Sequence, residues 1–209
     1  MTRGRLITIE GIDGAGKSTL AGPLVEHLRS CVGAPVELLR EPGGVRAAEL
    51  VRSLVGDPAL RVGARAEALL YAAARAQLVE ERVAPLLEAG GWVVLDRFID
   101  SSLAYQGGGR ALGVEHVREI NAFATGGLEA DRTLLLVVDP AAGRARRGAR
   151  AQDPDRLELE GEPFFARISA TYEQLALHSP ERIRRIDASR APDVVLAAAL
   201  AALADLLPR

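Results

Sequence analysis

Residues Gly11-Ile12-Asp13-Gly14-Ala15-Gly16-Lys17-Ser18 match the spacing G-x-x-x-x-G-K-[ST], and what flanks them fixes the local architecture. Before them, Leu6-Ile7-Thr8-Ile9 is a short apolar, β-branched run, as a buried parallel strand requires. After them, Leu20, Leu24, Val25 and Leu28 recur at helical spacing. A strand, a glycine turn and a helix in that order form a cradle for phosphate: backbone N–H groups curl around the anion and the helix N-terminus adds its positive end. Lys17 is the only lysine among 26 basic residues, the rest being arginine. A compact ammonium on a flexible stem suits a point contact to β- and γ-phosphates better than a planar fork does. Gly11, Ile12, Asp13, Gly14, Ala15, Gly16, Lys17, Ser18 and Thr19 are therefore the expected ATP-binding run, with the Ser18 hydroxyl on Mg²⁺.

Further apolar runs at Val36–Leu39, Trp92–Leu95, Thr133–Val138 and Ile183–Ile186 alternate with helical stretches. Those stretches are 20–29, 46–54, 64–87, 114–123 and 164–178. The alternation predicts an α/β fold, a parallel sheet of about five strands with helices on both faces. Ligands in such folds collect at the carboxyl ends of strands, so the residues just after each strand are the informative ones. At 209 residues the chain is read as one domain, 1–209, carrying a short arginine-rich lid at about 141–161. That lid, with Arg144, Arg146, Arg147, Arg150 and Arg156 among small residues, reads as a mobile flap.

Composition narrows the class. A net charge of −2 gives no general pull toward nucleic acid or an anionic membrane. The single cysteine, Cys31, cannot form an intrachain disulfide, which suits a reducing cytoplasm. The longest apolar run, Val194–Ala204, falls well short of the ~20 residues needed to span a bilayer and reads as a C-terminal helix. A guanine-reading Asn-Lys-x-Asp element is excluded, because no second lysine exists. Motor ATPases need further motifs that are not found here. A small kinase remains, and it needs cations for a second, acceptor phosphate. Asp96 ends the Trp92–Leu95 strand where a Walker-B carboxylate would hold Mg²⁺ or its waters, and Arg97 follows it into the same cleft.

Several separate stretches together resemble bacterial thymidylate kinases. They are the loop from Glu10 to Ser18, Arg40-Glu41-Pro42-Gly43-Gly44, and Leu70-Tyr71-Ala72-Ala73-Ala74-Arg75. The run Asp96-Arg97-Phe98 with Asp100 to Gly108 is the most diagnostic, and Asp155-Arg156-Leu157-Glu158 resembles the end of that family's lid. The resemblance spans residues 6 to about 165 and implies transfer of the γ-phosphoryl of ATP to dTMP, with Mg²⁺, in a cytoplasmic homodimer. By that resemblance dTMP is bound by Asp13, Arg40, Glu41, Arg52, Tyr71, Arg75, Arg97, Ser102, Tyr105 and Gln106. Tyr71, where the family usually has Phe, would stack on the base while Arg75, four residues on and on the same helical face, donates to O4. Ser102 and Gln106 would contact the base, and Tyr105 would crowd the sugar 2′ position. Arg40, Arg52 and Arg97 would surround the acceptor phosphate, with Glu41 and Asp13 near the sugar, phosphate or metal.

No general base is needed, because a phosphate monoester with a second pKa near ~6 is already largely dianionic at neutral pH. Catalysis is then positioning and charge neutralisation. The variable loop positions carry no arginine, so the lid has to supply cations, as it does in the family branch with an arginine-rich lid. Arg144, Arg147 and Arg150 share a face by i, i+3 spacing, and Lys17, Arg97, Arg147 and Arg150 are the expected catalytic set. Asp187-Ala188-Ser189 would border the adenine. Two other readings stay open on the residues alone: a related kinase for a different nucleotide or deoxynucleoside, and a non-catalytic nucleotide-binding protein.

Overall fold

The protein is described by a computed structural model covering residues 3–148 and 155–207, with the backbone alone at 147–148. Five strands form one sheet: β1 (Leu6–Glu10), β2 (Val36–Arg40), β3 (Trp92–Asp96), β4 (Arg132–Val137) and β5 (Ile183–Asp187). All neighbours are parallel, in the order β2-β3-β1-β4-β5. The strand order reverses beside β1, so the crevice at its carboxyl end is the place where a parallel sheet opens to a ligand.

Alternating residues send apolar side chains to both faces of the sheet, which is why the strands read as continuous apolar runs. Ile7, Ile9, Val94 and Leu134 join Leu24 and Leu28 of α1 (Lys17–Cys31) in one core. Leu6, Val93 and Leu95 join Leu78, Val83 and Leu87 in the other. The latter residues come from α3 (Ala64–Leu78) and its continuation through a widened π-turn, Val79–Val83, into α4 (Ala84–Glu88). Pro85 accounts for the widening: it has no N–H, and its ring would collide with the Glu81 carbonyl in a regular turn. The expected single helix over 64–87 is thus one helical path with a bulge.

The remaining helices are α2 (Arg46–Gly56), α5 (Ile99–Ser102), α6 (Val114–Thr125), α7 (Pro140–Gly148), α8 (Glu162–His178) and α9 (Pro192–Ala201). A second π-helical stretch, Leu103–Gly109, continues α5. It lies against α8 so closely that a Cβ on Gly108 would sit 2.0 Å from the Thr171 hydroxyl. The glycines of Gln106-Gly107-Gly108 therefore serve packing as well as any site. The basic stretch after β4 is not irregular throughout: α7 begins with Asp139 Oδ1 accepting from the N–H groups of Ala141 (2.8 Å) and Ala142 (3.2 Å).

Candidate active site

Gly16 caps α1 in a left-handed conformation, φ 97°, that a side chain would strain, and this turns the loop tightly into the helix. Lys17 folds back over that loop and donates to the carbonyls of Gly11 (3.0 Å) and Ile12 (3.1 Å). Burial, and then the Arg97 charge, push its pKa down from 10.5 to about 8 against the pull of Asp13, Asp96 and Glu10. An ammonium held at that cost is one that an incoming triphosphate would stabilise. Ser18 lies exposed at the start of α1. Asp96 ends β3 in register with Ile9, and its Oδ1 is buried with no hydrogen-bond partner among the described residues. An orphaned carboxylate oxygen behind a phosphate loop is the kind of hard oxygen donor that would suit a Mg²⁺ ion or its water, with the Ser18 hydroxyl as a second candidate.

Arg97 sits at the centre. Its backbone is left-handed, φ 72°, a conformation costing about 1–3 kcal/mol for a residue with a side chain. The next N–H, of Phe98, donates to Glu10 Oε1 at 2.7 Å and helps hold the turn. The Arg97 guanidinium donates to Asp13 Oδ1 (2.5 Å), the Gly11 carbonyl (3.2 Å) and Ser101 Oγ (3.1 Å). Its carbon lies 5.0 Å from the centre of the Tyr105 ring, and Tyr105 OH donates to Asp13 Oδ2 at 2.9 Å. Burial alone would raise the Asp13 carboxyl, but Arg97, Lys17 and Tyr105 outweigh it and hold the group below the usual carboxylate range. The Asp13 charge is thus balanced by Arg97 and Lys17, and Arg97 links the loop to Ser101 and Tyr105 on the far side.

From there a cavity of about 370 Å³ runs away from the loop, within the range of small-molecule sites. Its lining brings together Asp13, Glu41, Arg52, Tyr71, Arg75, Arg97, Ser102, Tyr105 and Gln106, residues expected from sequence to bind the acceptor. The lid's far end adds Asp155, Leu157 and Glu158. Arg52 donates to the Pro42 carbonyl at 3.0 Å, which holds it over the entrance.

Arg40 is the exception. It points out and pairs with Glu49 at 3.2 Å, because successive residues of a strand face opposite ways and Glu41 takes the inward direction. Arg75 also differs from expectation. It is buried, and all three of its guanidinium nitrogens donate to protein acceptors. Nε donates to Glu41 Oε2 (2.7 Å), Nη2 to the Phe98 carbonyl (2.9 Å), and Nη1 to Ser102 Oγ (2.9 Å) and Asn121 Oδ1, while Nη2 also lies 2.6 Å from Glu41 Oε2 in the ion pair. A base oxygen would share this fork rather than fill it.

In the lid, Arg144 pairs with Glu162 at 2.8 Å and Arg146 donates to the Ala188 carbonyl at 2.9 Å. That second bond ties α7 to the loop after β5, where the adenine was expected. Arg150 lies outside the described residues, as does the side chain of Arg147. The described part of α7, which carries Arg144, Arg146 and the backbone of Arg147, reaches Gly148.

Three groups at the site were not anticipated from the sequence. Glu10 is buried behind the loop and accepts from Ser101 Oγ (2.6 Å) and Tyr172 OH (2.9 Å). Its pKa is pushed up to about 7 by burial and by Asp100. Asn121 of α6 supports Arg75, and Glu67 of α3 accepts from Gln106. For Glu67 a signal existed: it precedes Tyr71 and Arg75 at i, i+4, i+8 on one helix face.

The thymidylate kinase family model matches residues 9–198. A thymidylate kinase of Rhizorhabdus wittichii is 47% identical over 209 residues, covering 98% of this chain and 99% of that protein. One from Oenococcus oeni is 46% identical over 96% of this chain and 95% of its own length, and one from Lactobacillus delbrueckii subsp. bulgaricus is 43% identical over 99% and 98%. The loop, the central arginine and the buried far end of the cleft thus occur in a sequence that is similar to these enzymes almost from end to end: the chain belongs to the thymidylate kinase family.

Proposed function

We propose that the chain transfers the γ-phosphoryl group of ATP to the phosphate of dTMP, giving dTDP and ADP. The observation that carries this reading is the Arg97–Asp13–Tyr105 cluster, which joins the phosphate loop to a cavity of a volume suited to a nucleoside. Arg97 clamps the dTMP phosphate and Arg52 flanks it. One of that phosphate's oxygens attacks the γ-phosphorus, and the bond from γ-phosphorus to the bridging oxygen breaks, leaving its electron pair on ADP. No side chain has to remove a proton, since the acceptor is already dianionic near neutral pH. Lys17 and the loop N–H groups hold the β- and γ-phosphates. Ser18 and Asp96 are the residues that would hold a Mg²⁺ ion brought with ATP, which would supply charge neutralisation at the phosphates. Arg147 and Arg150 complete the charge from the lid, and the loop at Asp187–Ser189 borders the adenine.

At the other end Tyr71 stacks on the thymine, Gln106 and Ser102 face its polar edge, and Tyr105 lies against the sugar. Glu41 keeps Arg75 in place, and its Oε1, buried and without a partner among the described residues, is available to the sugar or to a water. Arg40 acts from outside the cleft, through Glu49. The chain works as a single domain in the cytoplasm on small molecules, without nucleic acid or membrane. Among the described residues no helix is long and apolar enough to cross a membrane.

A homodimer fits the surface. Leu50 and Leu54 of α2, Leu69 of α3 and Phe123 of α6 are exposed on helices that pack side by side, Phe123 at 93%. An apolar strip of this kind is what a second copy would cover. Sedimentation at micromolar concentration is expected to give about twice the 22.2 kDa chain mass; a monomer alone contradicts it.

The function is tested by steady-state assay of a panel of nucleoside monophosphates with Mg²⁺ and ATP. We expect dTMP to have the highest kcat/KM. Clearly higher kcat/KM for another monophosphate, or no turnover of any, would contradict the reading.

A further inference from the structure

Glu67 has no place in the phosphate chemistry, yet it is fully buried at the far end of the cleft and is the meeting point of three separate chain segments. Its Oε1 accepts from Gln106 Nε2 at 2.9 Å. Arg110 Nε lies 3.2 and 3.1 Å from its two oxygens, and Arg156 Nη2 donates to Oε2 at 2.6 Å. Each arginine is held in turn: Arg156 Nε donates to the Val55 carbonyl at 3.0 Å, and Arg110 Nη1 pairs with Glu160. The carboxylate is therefore fixed in place between two cations and can only accept.

That fixes the orientation of Gln106. A glutamine amide has a donor end and an acceptor end, and an acceptor-only neighbour takes the donor end. Gln106 lines the cavity, so the amide oxygen is the end left for the ligand, and no described residue donates to it. A carbonyl at that position pairs with a ring N–H. Thymine has one at N3; cytosine has a lone pair there, which would face the carbonyl oxygen and leave both acceptors unsatisfied in a buried site. Arg75 does not make the choice alone, since all three of its guanidinium nitrogens are already engaged with Glu41, Ser102, Asn121 and the Phe98 carbonyl.

We propose that Glu67 is a positioning residue for base selection. By holding the amide of Gln106 with its oxygen toward the cleft, it makes the site prefer pyrimidines bearing N3–H over cytosine. This rests on the reading of the cavity as the nucleoside end of the acceptor site.

The test compares kcat/KM for dTMP and for 5-methyl-dCMP, which keeps the ring methyl and changes only the pairing edge. It uses the unmodified chain, Gln106→Ala, Glu67→Gln and the double variant. Glu67→Gln offers Gln106 either a donor or an acceptor, so the amide is no longer fixed. The dTMP preference is expected to fall at least about tenfold in each single variant, and no further in the double variant than in Gln106→Ala. A purely structural role for Glu67 would slow both substrates alike and leave their ratio unchanged; that result overturns the proposal. So does a loss of preference on Glu67→Gln that is undiminished in the Gln106→Ala background. If Gln106→Ala itself keeps the preference, the proposal also falls, and the fault lies in the assignment of the base end. Should Glu67→Gln fail to fold, the unmodified protein still decides the orientation. N3-methyl-dTMP is expected to bind at least about tenfold more weakly than dTMP, and equal binding overturns the proposal.

Discussion

The two ends of the cleft are built by different means. The phosphate end is made mostly of backbone: a glycine turn, the start of α1 and one lysine resting on the loop's own carbonyls five and six residues away. The nucleoside end is made of side chains brought from far apart in sequence, Arg75 on Glu41 and Asn121, Gln106 on Glu67. Groups at the first end can be exchanged without disturbing the core, so their loss is felt in rate. Groups at the second end are ion pairs and hydrogen bonds shut away from water, where removing one partner leaves another buried and unsatisfied. There, loss is felt in stability before it is felt in rate.

The strongest way to break this contrast is Lys17→Ala. The account expects kcat to fall about 10³-fold, the scale of losing a fixed donor to transition-state charge. It expects thermal stability to be retained, because burial and the nearby Arg97 charge disfavour the Lys17 ammonium in the folded, nucleotide-free protein. A large drop in melting temperature would place Lys17 among the structural residues instead. Arg75→Ala should behave in the opposite manner. With Glu41 left buried and alone, urea denaturation is expected to show a loss of about 3–5 kcal/mol. Unchanged stability would mean that the buried network at the base end does not hold the fold.

The lid sharpens the comparison, since its arginines are the cations proposed to complete the phosphate end. Arg147→Ala together with Arg150→Ala is expected to lower kcat by at least about 10²-fold, with dTMP affinity and melting temperature much less affected. Near-normal kcat would put the transition-state cations elsewhere.

Most of the phosphate end was legible in the sequence, because a loop defined by backbone turns has its glycines and lysine at fixed spacing. The same holds for Asp96 and Arg97, which follow a strand whose apolar run is unmistakable. The nucleoside end was legible only where residues share a helix turn, as Tyr71 and Arg75 do. Its support was not, because the partners lie 39 residues apart for Gln106 and Glu67 and 46 for Arg75 and Asn121; a separation of 162 residues likewise hid Glu10 and Tyr172 behind the phosphate loop. Arg40 shows the converse failure: at a strand end, one residue's shift turns a side chain from the cleft to the outer surface. The π-turns at Val79–Val83 and Leu103–Gly109 were likewise hidden within helical periodicity.

A smaller effect concerns pH. Glu10 keeps its proton in the folded protein up to about pH 7, against 4.5 as an ordinary carboxyl, because burial and then Asp100 disfavour its charge. The folded state thus binds more protons between those values, and its stability contribution is full below about 4.5 and lost as the pH rises through 7. Melting temperature is expected to decline across that window, and Glu10→Gln should flatten the decline. An equal slope in the variant would assign the titration to another group.

The division of the cleft itself is tested most directly by a crystal structure with dTMP and a non-hydrolysable ATP analogue bound together. The account predicts the acceptor phosphate on Arg97, beside Asp13, with the thymine ring against Tyr71 and its N3–H toward the amide oxygen of Gln106. A thymine ring lodged at the Asp187–Ser189 loop, or an acceptor phosphate bound away from Arg97, would contradict it.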